Sequence, residues 1–413
     1  MKTETNPIVI DLFSGAGGFS LGFRMAGFKE ECALEIDKWA SDTLKFNSPG
    51  LNVIQDDIRK FQTSEEIKKI CPFQPDVIVG GPPCQGFSIA GPAQKDPKDP
   101  RNSLFIDYAR WVEVLNPKVF VMENVKGLLS RNNANGEKVI EIIKKSFVSL
   151  GYSVEVWILN AAEYGVPQIR ERIFVVGNRL GVEKIGDPPK THVLTNGTKN
   201  NRNNGHEPQL SLFEIKELSK AVTVWDAISD LPELDAGEGE EEQDYSKEPQ
   251  TPYQTLIRGT QEILYNHVAM GHSTRLVERF KHVGWGESSA DVPEEHRARE
   301  RNGNGKISGK LYDQNNRRLN PHRPSHTIAA SFYANFIHPF QHRNLTAREG
   351  ARIQSFPDWY RFMGKKTVVS HRLLQREGRF EETHLCQYNQ IGNAVPPLLA
   401  KTIAGHIRKV CKI

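Results

Sequence analysis

The sequence predicts an α/β fold with a mainly parallel sheet, and two observations support this prediction. Short apolar runs alternate with amphipathic stretches up to about residue 178, and residues 139–150 repeat their apolar side chains at helical spacing. Strands that alternate with helices favour a parallel sheet covered on both faces. The predicted strands are residues 8–12, 31–34, 51–54, 76–79, 118–122, 152–159 and 172–176.

Composition excludes several classes of protein. The 413 residues leave room for two or three domains, and 38% hydrophobic residues with both charge signs indicate a soluble globular chain. The five cysteines are scattered without a C-x-x-C pair, which argues against a disulfide framework and a zinc site. No apolar run suits a signal peptide or a membrane span, so a cytoplasmic location without a membrane partner is expected.

The chain changes character after residue 176. Residues 191–205 are rich in Asn and Gly, and the stretch 235–244, DAGEGEEEQD, is strongly acidic. Both predict mobile surface, because neither has enough apolar area to offset its ordering entropy. Residues 272–326 are basic around Trp285. A solvated basic surface and a groove for phosphates both remain open for this part, since the net charge of the whole chain is only +4.

A glycine-rich turn follows the first strand in IVIDLFSGAGGFSLGF, residues 8–23. Gly15, Gly17 and Gly18 allow the main chain to approach a ligand at the carboxyl end of that strand. The spacing G-x-G-G differs from the dinucleotide fingerprint G-x-G-x-x-G, which disfavours a nicotinamide cofactor. Glu35 and Asp57 follow the next two strands. Either acid alone is most simply a solvated carboxylate, but as an ordered set at successive strand ends they indicate an adenosine pocket.

The fourth predicted strand runs into GGPPCQGFSIAG, residues 80–91. Gly80 and Gly81 permit unusual torsions, whereas Pro82 and Pro83 fix theirs, so Cys84 is expected on a stiff, sharp turn. The alternative is a buried structural cysteine, because free cysteine packs as a small hydrophobe.

Six blocks in order decide between these alternatives: DLFSGAGGFS, GGPPCQGFS, ENV, QIRER, LTAREGARIQSFPD and QIGNAVPP. With them the chain closely resembles the DNA (cytosine-5-)-methyltransferase family of the bacterial restriction-modification type, everywhere except about residues 190–320. The resemblance implies a class I S-adenosylmethionine-dependent methyltransferase fold, Rossmann-like with a mainly parallel seven-stranded sheet, and a smaller target-recognition domain. The implied catalytic and cofactor-binding domain spans 1–190 and is completed by 387–413. The target-recognition domain spans 191–386, with a flexible insert at about 195–250.

The resemblance also implies the chemistry. S-adenosyl-L-methionine is the methyl donor, and the target cytosine leaves the duplex because a stacked base hides its carbon atoms. The thiolate of Cys84 attacks carbon 6, and Glu123 is the acid that protonates or hydrogen-bonds ring nitrogen 3. Arg172, with Arg170 beside it, reaches the base oxygen and a nearby phosphate, and its positive charge favours the thiolate.

The remaining predicted site residues fall into two groups. For the cofactor these are Phe13, Ser14, Gly15, Gly17, Gly18, Glu35, Ile36, Asp57, Ile58, Pro82 and Asn393. For DNA they are Gln85 and Ser88, at the start of a loop to about residue 102 that is expected to close over substrate. Arg343, Arg348 and Arg352 are expected to brace the smaller domain.

The leading hypothesis is a sequence-specific, monomeric enzyme that methylates double-stranded DNA and protects host DNA in a restriction-modification system. A cognate restriction endonuclease is a candidate partner. Two alternatives remain: a tRNA cytosine-5 methyltransferase and a catalytically silent DNA-binding regulator. The large basic segment disfavours the first, and the intact set Cys84, Glu123 and Arg172 disfavours the second.

Overall fold

The computed structural model describes residues 6–83, 104–133, 136–194, 218–300, 306–308, 313, 315–367 and 371–413. Cys84, Gln85, Ser88 and the rest of the loop to residue 102 lie outside these residues, as does 195–217. The chain divides into two compact units. The first unit is Met1–Asn160, Glu171–Pro189 and Ala394–Ile413, and the second is Ala161–Arg170 and Lys190–Asn393. The catalytic and recognition roles of the domains expected from the sequence stay predictions.

A seven-stranded sheet forms the centre of the first unit. Its strands are β1 (Ile8–Leu12), β2 (Lys29–Glu35), β3 (Asn52–Gln55), β4 (Val77–Gly80), β5 (Val119–Val125), β6 (Ser153–Asn160) and β7 (Glu171–Asn178). Their order is β3-β2-β1-β4-β5-β7-β6, and only β7 runs antiparallel to its neighbours. The predicted α/β class is confirmed, and every predicted strand overlaps an observed one.

Helices accompany the sheet: α1 (Gly18–Met25), α2 (Lys38–Asn47), α3 (Ser64–Ile70), α4 (Leu104–Leu115), α5 (Val139–Ser149) and the C-terminal helix (Pro397–Cys411). Local sequence explains where several begin. Asp37 caps α2 by accepting a hydrogen bond from the Ala40 amide, and Thr63 and Glu66 form a capping box on α3.

Close packing ties the ends of the first unit together. A Cβ on Gly22 of α1 would lie 2.4 Å from the Cβ of Ala400, so only glycine lets the C-terminal helix approach α1 this closely. On the sheet, a Cβ on Gly177 would lie 2.0 Å from the ring of Phe120, which itself packs on Phe147 and Tyr152. The C-terminal residues therefore complete the core of this unit.

The second unit contains short elements and three two-stranded sheets. Its strands are β8 (His192–Val193), β9 (Ser219–Lys220), β10 (Gly239–Asp244), β11 (Ile263–Val268), β12 (Arg317–Arg318) and β13 (Phe336–Ile337). Its helices are α6 (Val224–Ile228), α7 (Pro252–Arg258), α8 (Thr274–Lys281), α9 (Phe332–Asn335), α10 (Ala347–Ile353), α11 (His371–Arg376) and α12 (Gln387–Asn393). Across the described part of the chain, every helix is too short or too polar to cross a membrane.

The acidic stretch 235–244 is ordered, which differs from the mobile surface that its composition predicts. Instead of mobile surface it contains β10, which pairs antiparallel with β11 so that Glu240 lies opposite His267. The side-chain amide of Asn266 donates to Glu241 at 2.9 Å, and Gln243 donates to the His267 carbonyl at 3.2 Å. Main-chain pairing and these polar contacts order a segment that has little apolar area, which composition alone did not indicate.

Three buried arginines, two in α10 and one just before it, confirm the expected bracing role. Arg343 forms a two-pronged ion pair with Glu349, and Arg352 binds Asp230 and Asp358. Arg348 donates to the carbonyls of Tyr265 and Tyr360. We call Arg343, Arg348 and Arg352 the buried arginine cluster.

Candidate active site

Three residues of the glycine-rich turn after β1 have left-handed main-chain torsions. Phe13, Gly15 and Gly17 have φ of 59°, 53° and 75°, in the left-handed region that glycine tolerates best. The Ser14 amide donates to the Leu34 carbonyl at 3.1 Å, which joins the turn to β2. A Cβ built on Gly15 meets no described atom within 4 Å, so the main chain here borders open space that a ligand can enter.

Glu35, the last residue of β2, is buried beside this turn. One carboxylate oxygen accepts from the Gly15 amide and the other from the Asp37 amide, each at 2.7 Å. Burial raises the pKa of the Glu35 carboxyl to about 6, against the opposing effect of these two hydrogen bonds. Each oxygen is thus held in place with acceptor capacity remaining, which suits the two neighbouring hydroxyls of a ribose.

Asp11 of β1 is a residue of this site that sequence reasoning missed. It is buried, and its carboxyl accepts from the Ser20 amide in the first turn of α1 at 3.3 Å. Burial, followed by the nearby Glu30 carboxyl, raises the pKa of Asp11 well above its ordinary value. The signal was present as the lone acid in the apolar run IVIDL, because an acid in a buried strand requires a partner.

The remaining residues predicted to contact an adenine ring differ in how much of each side chain a ligand can reach. The side chain of Ile36 is largely exposed, whereas that of Ile58 belongs to the hydrophobic core. Asp57 caps the short 3-10 helix Ile58–Lys60, and Arg59 donates to both of its carboxylate oxygens. These bonds hold the pKa of the Asp57 carboxyl below its ordinary value. Asp57 therefore already has a cationic partner, and Ile58 offers a ligand only its main chain.

The proline segment starts beside the glycine-rich turn, because Gly80 at the end of β4 lies opposite Leu12 of β1. On its other side, the Asn124 side-chain amide donates to the Pro82 carbonyl at 3.1 Å. A Cβ on Gly81 would lie 3.2 Å from a carboxylate oxygen of Glu123. The residues that lead to Cys84 are therefore positioned by β5, and Asn124 is a positioning residue that the predicted site did not include.

Arg172 reaches the same point from β7. Since β7 runs antiparallel to β5, its first residues lie at the carboxyl end of β5, where Arg172 pairs in register with Val125. The Arg172 Nε lies 2.9 Å from Oε1 of Glu123, and the two side chains are 15% and 16% exposed. The pair is thus ordered but remains accessible to a substrate.

Arg170 and Asn393 belong to the second unit. The buried guanidinium of Arg170 donates to the carbonyls of Ile328 at 2.8 Å and Gly392 at 3.1 Å. These bonds favour a bracing role, and the catalytic role of Arg170 stays a prediction. Asn393 is the exposed last residue of α12, and its cofactor contact also stays a prediction.

The structure brings several of the predicted site residues together at one edge of the sheet, whereas Arg170 and Asn393 belong to the second unit and Cys84, Gln85 and Ser88 lie outside the described residues. Gly15 lies against Glu35, and Gly81 lies beside Glu123, which pairs with Arg172. Pro82 lies against Asn124. This is the edge at which open α/β sheets bind their ligands.

Comparison with known proteins gives consistent results. The family model for C-5 cytosine-specific DNA methylase matches residues 8–409. The chain is 48% identical to the type II methyltransferase M.DdeI of Desulfomicrobium norvegicum, over 97% of this chain and 88% of the relative. It is 36% identical to the type II methyltransferase M1.HphI of Haemophilus parahaemolyticus, over 97% and 86% of the two chains.

A solved structure shows the same fold. The crystal structure of an E. coli prophage-encoded protein, named as a DNA modification methyltransferase, superposes with a TM-score of 0.70. It is 27% identical, and the match covers 99% of this chain and 100% of the other. The resemblance and the fold class predicted from the sequence are both confirmed. The chain belongs to the C-5 cytosine-specific DNA methylase family, and it is a DNA (cytosine-5-)-methyltransferase whose methyl donor is S-adenosyl-L-methionine.

Proposed function

We propose that this chain methylates carbon 5 of a specific cytosine in duplex DNA through a transient bond to Cys84, after the base has left the helix. The observation that carries the proposal is the accessible Glu123–Arg172 pair beside Gly81, which lies three residues before Cys84 in the sequence. An acid and a candidate nucleophile are thereby assigned to the same edge of the sheet.

The chemistry explains why both groups are needed. Carbon 5 of cytosine is a weak nucleophile. When the Cys84 thiolate adds to carbon 6, the new sulfur–carbon bond displaces the electrons of the carbon 5–carbon 6 double bond, and electron density builds up on carbon 5. Glu123 favours this addition by holding a proton at ring nitrogen 3, and its other oxygen accepts from the exocyclic amino group. Arg172 orients the Glu123 carboxyl for that contact.

When bound, S-adenosyl-L-methionine would supply the methyl group as a sulfonium electrophile: carbon 5 would take the methyl group, and the donor's sulfur would keep the electrons of the broken sulfur–carbon bond and leave as a neutral thioether. Afterwards a base takes the proton from carbon 5, the double bond re-forms, and the Cys84 sulfur leaves as thiolate. No atom of the protein is consumed, so the enzyme is ready for another base.

The residues present fit this methyl donor. The open space before Gly15 allows close approach of the ligand to the main chain, and the fixed Glu35 oxygens match the ribose hydroxyls. Ile36 provides an exposed apolar side chain for the adenine ring. Asp57 and the Ile58 main chain are the proposed adenine contacts, and Phe13, Ser14, Gly17, Gly18, Pro82 and Asn393 complete the proposed set.

The substrate geometry demands base extrusion. In a stacked duplex the faces of carbon 5 and carbon 6 are covered, so neither sulfur nor methyl donor can reach them. We assign Gln85 and Ser88 to the space that the base vacates, and sequence recognition to the second unit. A monomeric enzyme that protects host DNA from a cognate endonuclease is the proposed biological setting. The cytoplasmic location stays a prediction.

A cysteine exchange with a matched control tests the proposal. Cys84→Ser should lower methyl transfer from labelled cofactor to duplex DNA by more than about 10³-fold, because serine is a far weaker nucleophile, while duplex binding persists. Cys411→Ser, in the C-terminal helix, should behave as wild type. Near-normal turnover of Cys84→Ser would rule out the covalent route, and labelling of tRNA instead of duplex DNA would favour the tRNA alternative.

Trapping gives a second measurement. A duplex with 5-fluorocytosine at the target should form a stable adduct with wild type and with Cys411→Ser, because no proton is available to leave from carbon 5. The adduct should be absent with Cys84→Ser. A crosslink that mass spectrometry places on another side chain, or a methyl group on the exocyclic amine, contradicts the mechanism.

A further inference from the structure

Four aromatic side chains form a continuous surface on the second unit. The ring of Phe340 packs edge-on against Trp225 at 4.5 Å and against Trp285 at 5.5 Å, and Trp285 packs against His322 at 5.6 Å. Trp285 and Phe340 are 48% and 47% exposed. We call Trp225, Trp285, His322 and Phe340 the aromatic face.

Main-chain hydrogen bonds hold this face in place. The indole nitrogen of Trp285 donates to the Pro339 carbonyl at 3.0 Å, which joins the two exposed rings. The Trp225 amide donates to the Pro321 carbonyl at 3.0 Å, next to His322. The rings therefore lie on four separate segments of the chain that these bonds join in pairs, and they do not depend on one flexible loop.

Arg318 lies beneath these segments as their common anchor. Its buried guanidinium donates to the carbonyls of Phe280, Val283, His338 and Gln341 at 2.5 to 3.0 Å. Its carbonyl accepts from the Gly286 amide, next to Trp285. Burial lowers the pKa of Arg318 to about 10, so it stays charged at neutral pH. One buried cation thus fixes both segments that present Trp285 and Phe340.

The aromatic face also has positive neighbours. Arg323, next to His322, is exposed, and within the described chain its guanidinium forms no ion pair with a carboxylate. Arg317 donates to the Gly286 carbonyl, next to Trp285. Large aromatics fixed at the surface with cations beside them suit a partner that is both anionic and apolar, and nucleic acid has phosphates next to sugars and base edges.

A second exposed tryptophan of the same unit provides a contrast. Trp359 is 42% exposed and packs on Tyr360 at 5.4 Å. The nearby cation Arg361 is ion-paired with Glu242 at 2.6 Å. Exposure alone is therefore similar at both tryptophans. What distinguishes Trp285 is the exposed Arg323, which has no carboxylate partner among the described residues and lies beside His322, the aromatic neighbour of Trp285.

We propose that the aromatic face contacts the DNA substrate, with Trp285 and Phe340 packing against deoxyribose and base edges while Arg323 meets a phosphate. The inference rests on the proposed function in taking duplex DNA as the substrate. It deepens that function by naming the part of the second unit that binds it.

Binding measurements on three variants test the inference. The probe is a duplex carrying the site mapped by bisulfite sequencing of DNA from expressing cells. Trp285→Ala and Phe340→Ala should each weaken equilibrium binding at least about fivefold, as loss of an aromatic contact to a nucleotide does elsewhere. Trp359→Ala should bind within twofold of wild type. Arg323→Ala should reduce the slope of log K against log salt by about 1.

Further measurements separate DNA contact from loss of structure. Trp285→Phe keeps a ring but loses the indole hydrogen bond, and it should retain binding within about threefold with an unchanged unfolding midpoint. Ultraviolet crosslinking of the wild-type protein to the same duplex should place the crosslink on peptides that contain Trp285 or Phe340, whatever the variants do.

The inference is overturned if Trp285→Ala and Phe340→Ala bind as wild type, if Trp359→Ala weakens binding equally, or if crosslinks map elsewhere. A wild-type protein that does not methylate duplex DNA would instead refute the proposed function.

Discussion

Two sets of ion-paired carboxylate and guanidinium groups in this chain differ in how far water and substrate can reach them. In the first unit, Glu123 and Arg172 meet at 2.9 Å with about one-sixth of each side chain exposed. In the second unit, Arg352 binds Asp358 at 2.6 Å and also Asp230, and all three side chains are fully buried. In these two places the same chemical groups therefore stand once where a ligand can touch them and once where burial prevents this contact.

The difference shows that burial decides whether a charged residue can contact substrate or only stabilises the fold. Removal of Arg352 and its partners from water is costly, and good geometry must offset this cost. Arg352 meets this need with bonds to both carboxylates and to the Ala227 carbonyl. Among the described residues Glu123 has one cationic partner, Arg172, and it has an oxygen near Gly81, so it retains capacity to bind a base.

The largest effect is expected from Glu123→Gln. An amide cannot hold a proton at ring nitrogen 3, so kcat should fall by about 10² to 10⁴. The free energy of unfolding should change little, because the pair is partly solvated. Single-turnover methylation and urea unfolding measure the two quantities.

Glu163→Gln is the matched control, since Glu163 is 22% exposed and pairs with Lys190 at 2.6 Å. It should keep wild-type activity. The contrast between the accessible and the buried ion pairs is wrong if Glu123→Gln keeps its kcat. It is also wrong if Glu123→Gln destabilises the protein as strongly as a substitution of a buried charge does.

A smaller effect on activity but a large one on folding is expected from Arg352→Met. Two buried carboxylates would lose their cation, which should lower the free energy of unfolding by about 3 to 5 kcal/mol. Arg379→Met, which breaks an exposed pair with Glu382 at 2.8 Å, should leave the urea midpoint within experimental scatter. If the two variants unfold at the same urea concentration, burial does not distinguish the two regions.

Much of the first unit could be predicted from sequence, because its strands are apolar runs bounded by turn residues. Glu35 and Glu123 were identifiable as acids that follow such runs. The partnership of Glu123 with Arg172 could not be derived, since it depends on β7 running antiparallel so that Arg172 lies opposite Val125. Two residues earlier, Arg170 has the same chemistry but lies buried against carbonyls.

The second unit was less predictable, because charge in a sequence does not reveal exposure. Arg318 lies in the basic stretch and was grouped with surface cations, yet it is buried and anchors main-chain carbonyls. Similarly, the acidic stretch that was expected to be mobile contains β10, since strand pairing depends on a partner distant in sequence. Arginines near α10 were recognisable as braces, but their individual partners required the structure.

The smallest effect concerns Glu35, which is buried like Arg352 but borders the open space at Gly15 as an active-site residue does. Its pKa is raised from 4.5 to about 6, chiefly by burial. The folded state therefore binds this proton more tightly than the unfolded state does. The resulting contribution to stability is fully present below pH 4.5 and is lost as the pH rises through 6.

Cofactor binding should show the opposite dependence on pH. Ribose hydroxyls donate to the ionised carboxylate, so a proton must leave Glu35 before S-adenosyl-L-methionine binds well. The Kd measured by calorimetry should be flat above pH 7 and should rise toward about tenfold per pH unit well below pH 6. Glu35→Gln should bind more weakly at pH 8 and lose this acid limb, which distinguishes Glu35 from titration of the ligand itself. A wild-type Kd that is constant from pH 5 to 8, or an acid limb that persists in Glu35→Gln, would show that Glu35 belongs with the structural charges and not with those of the site.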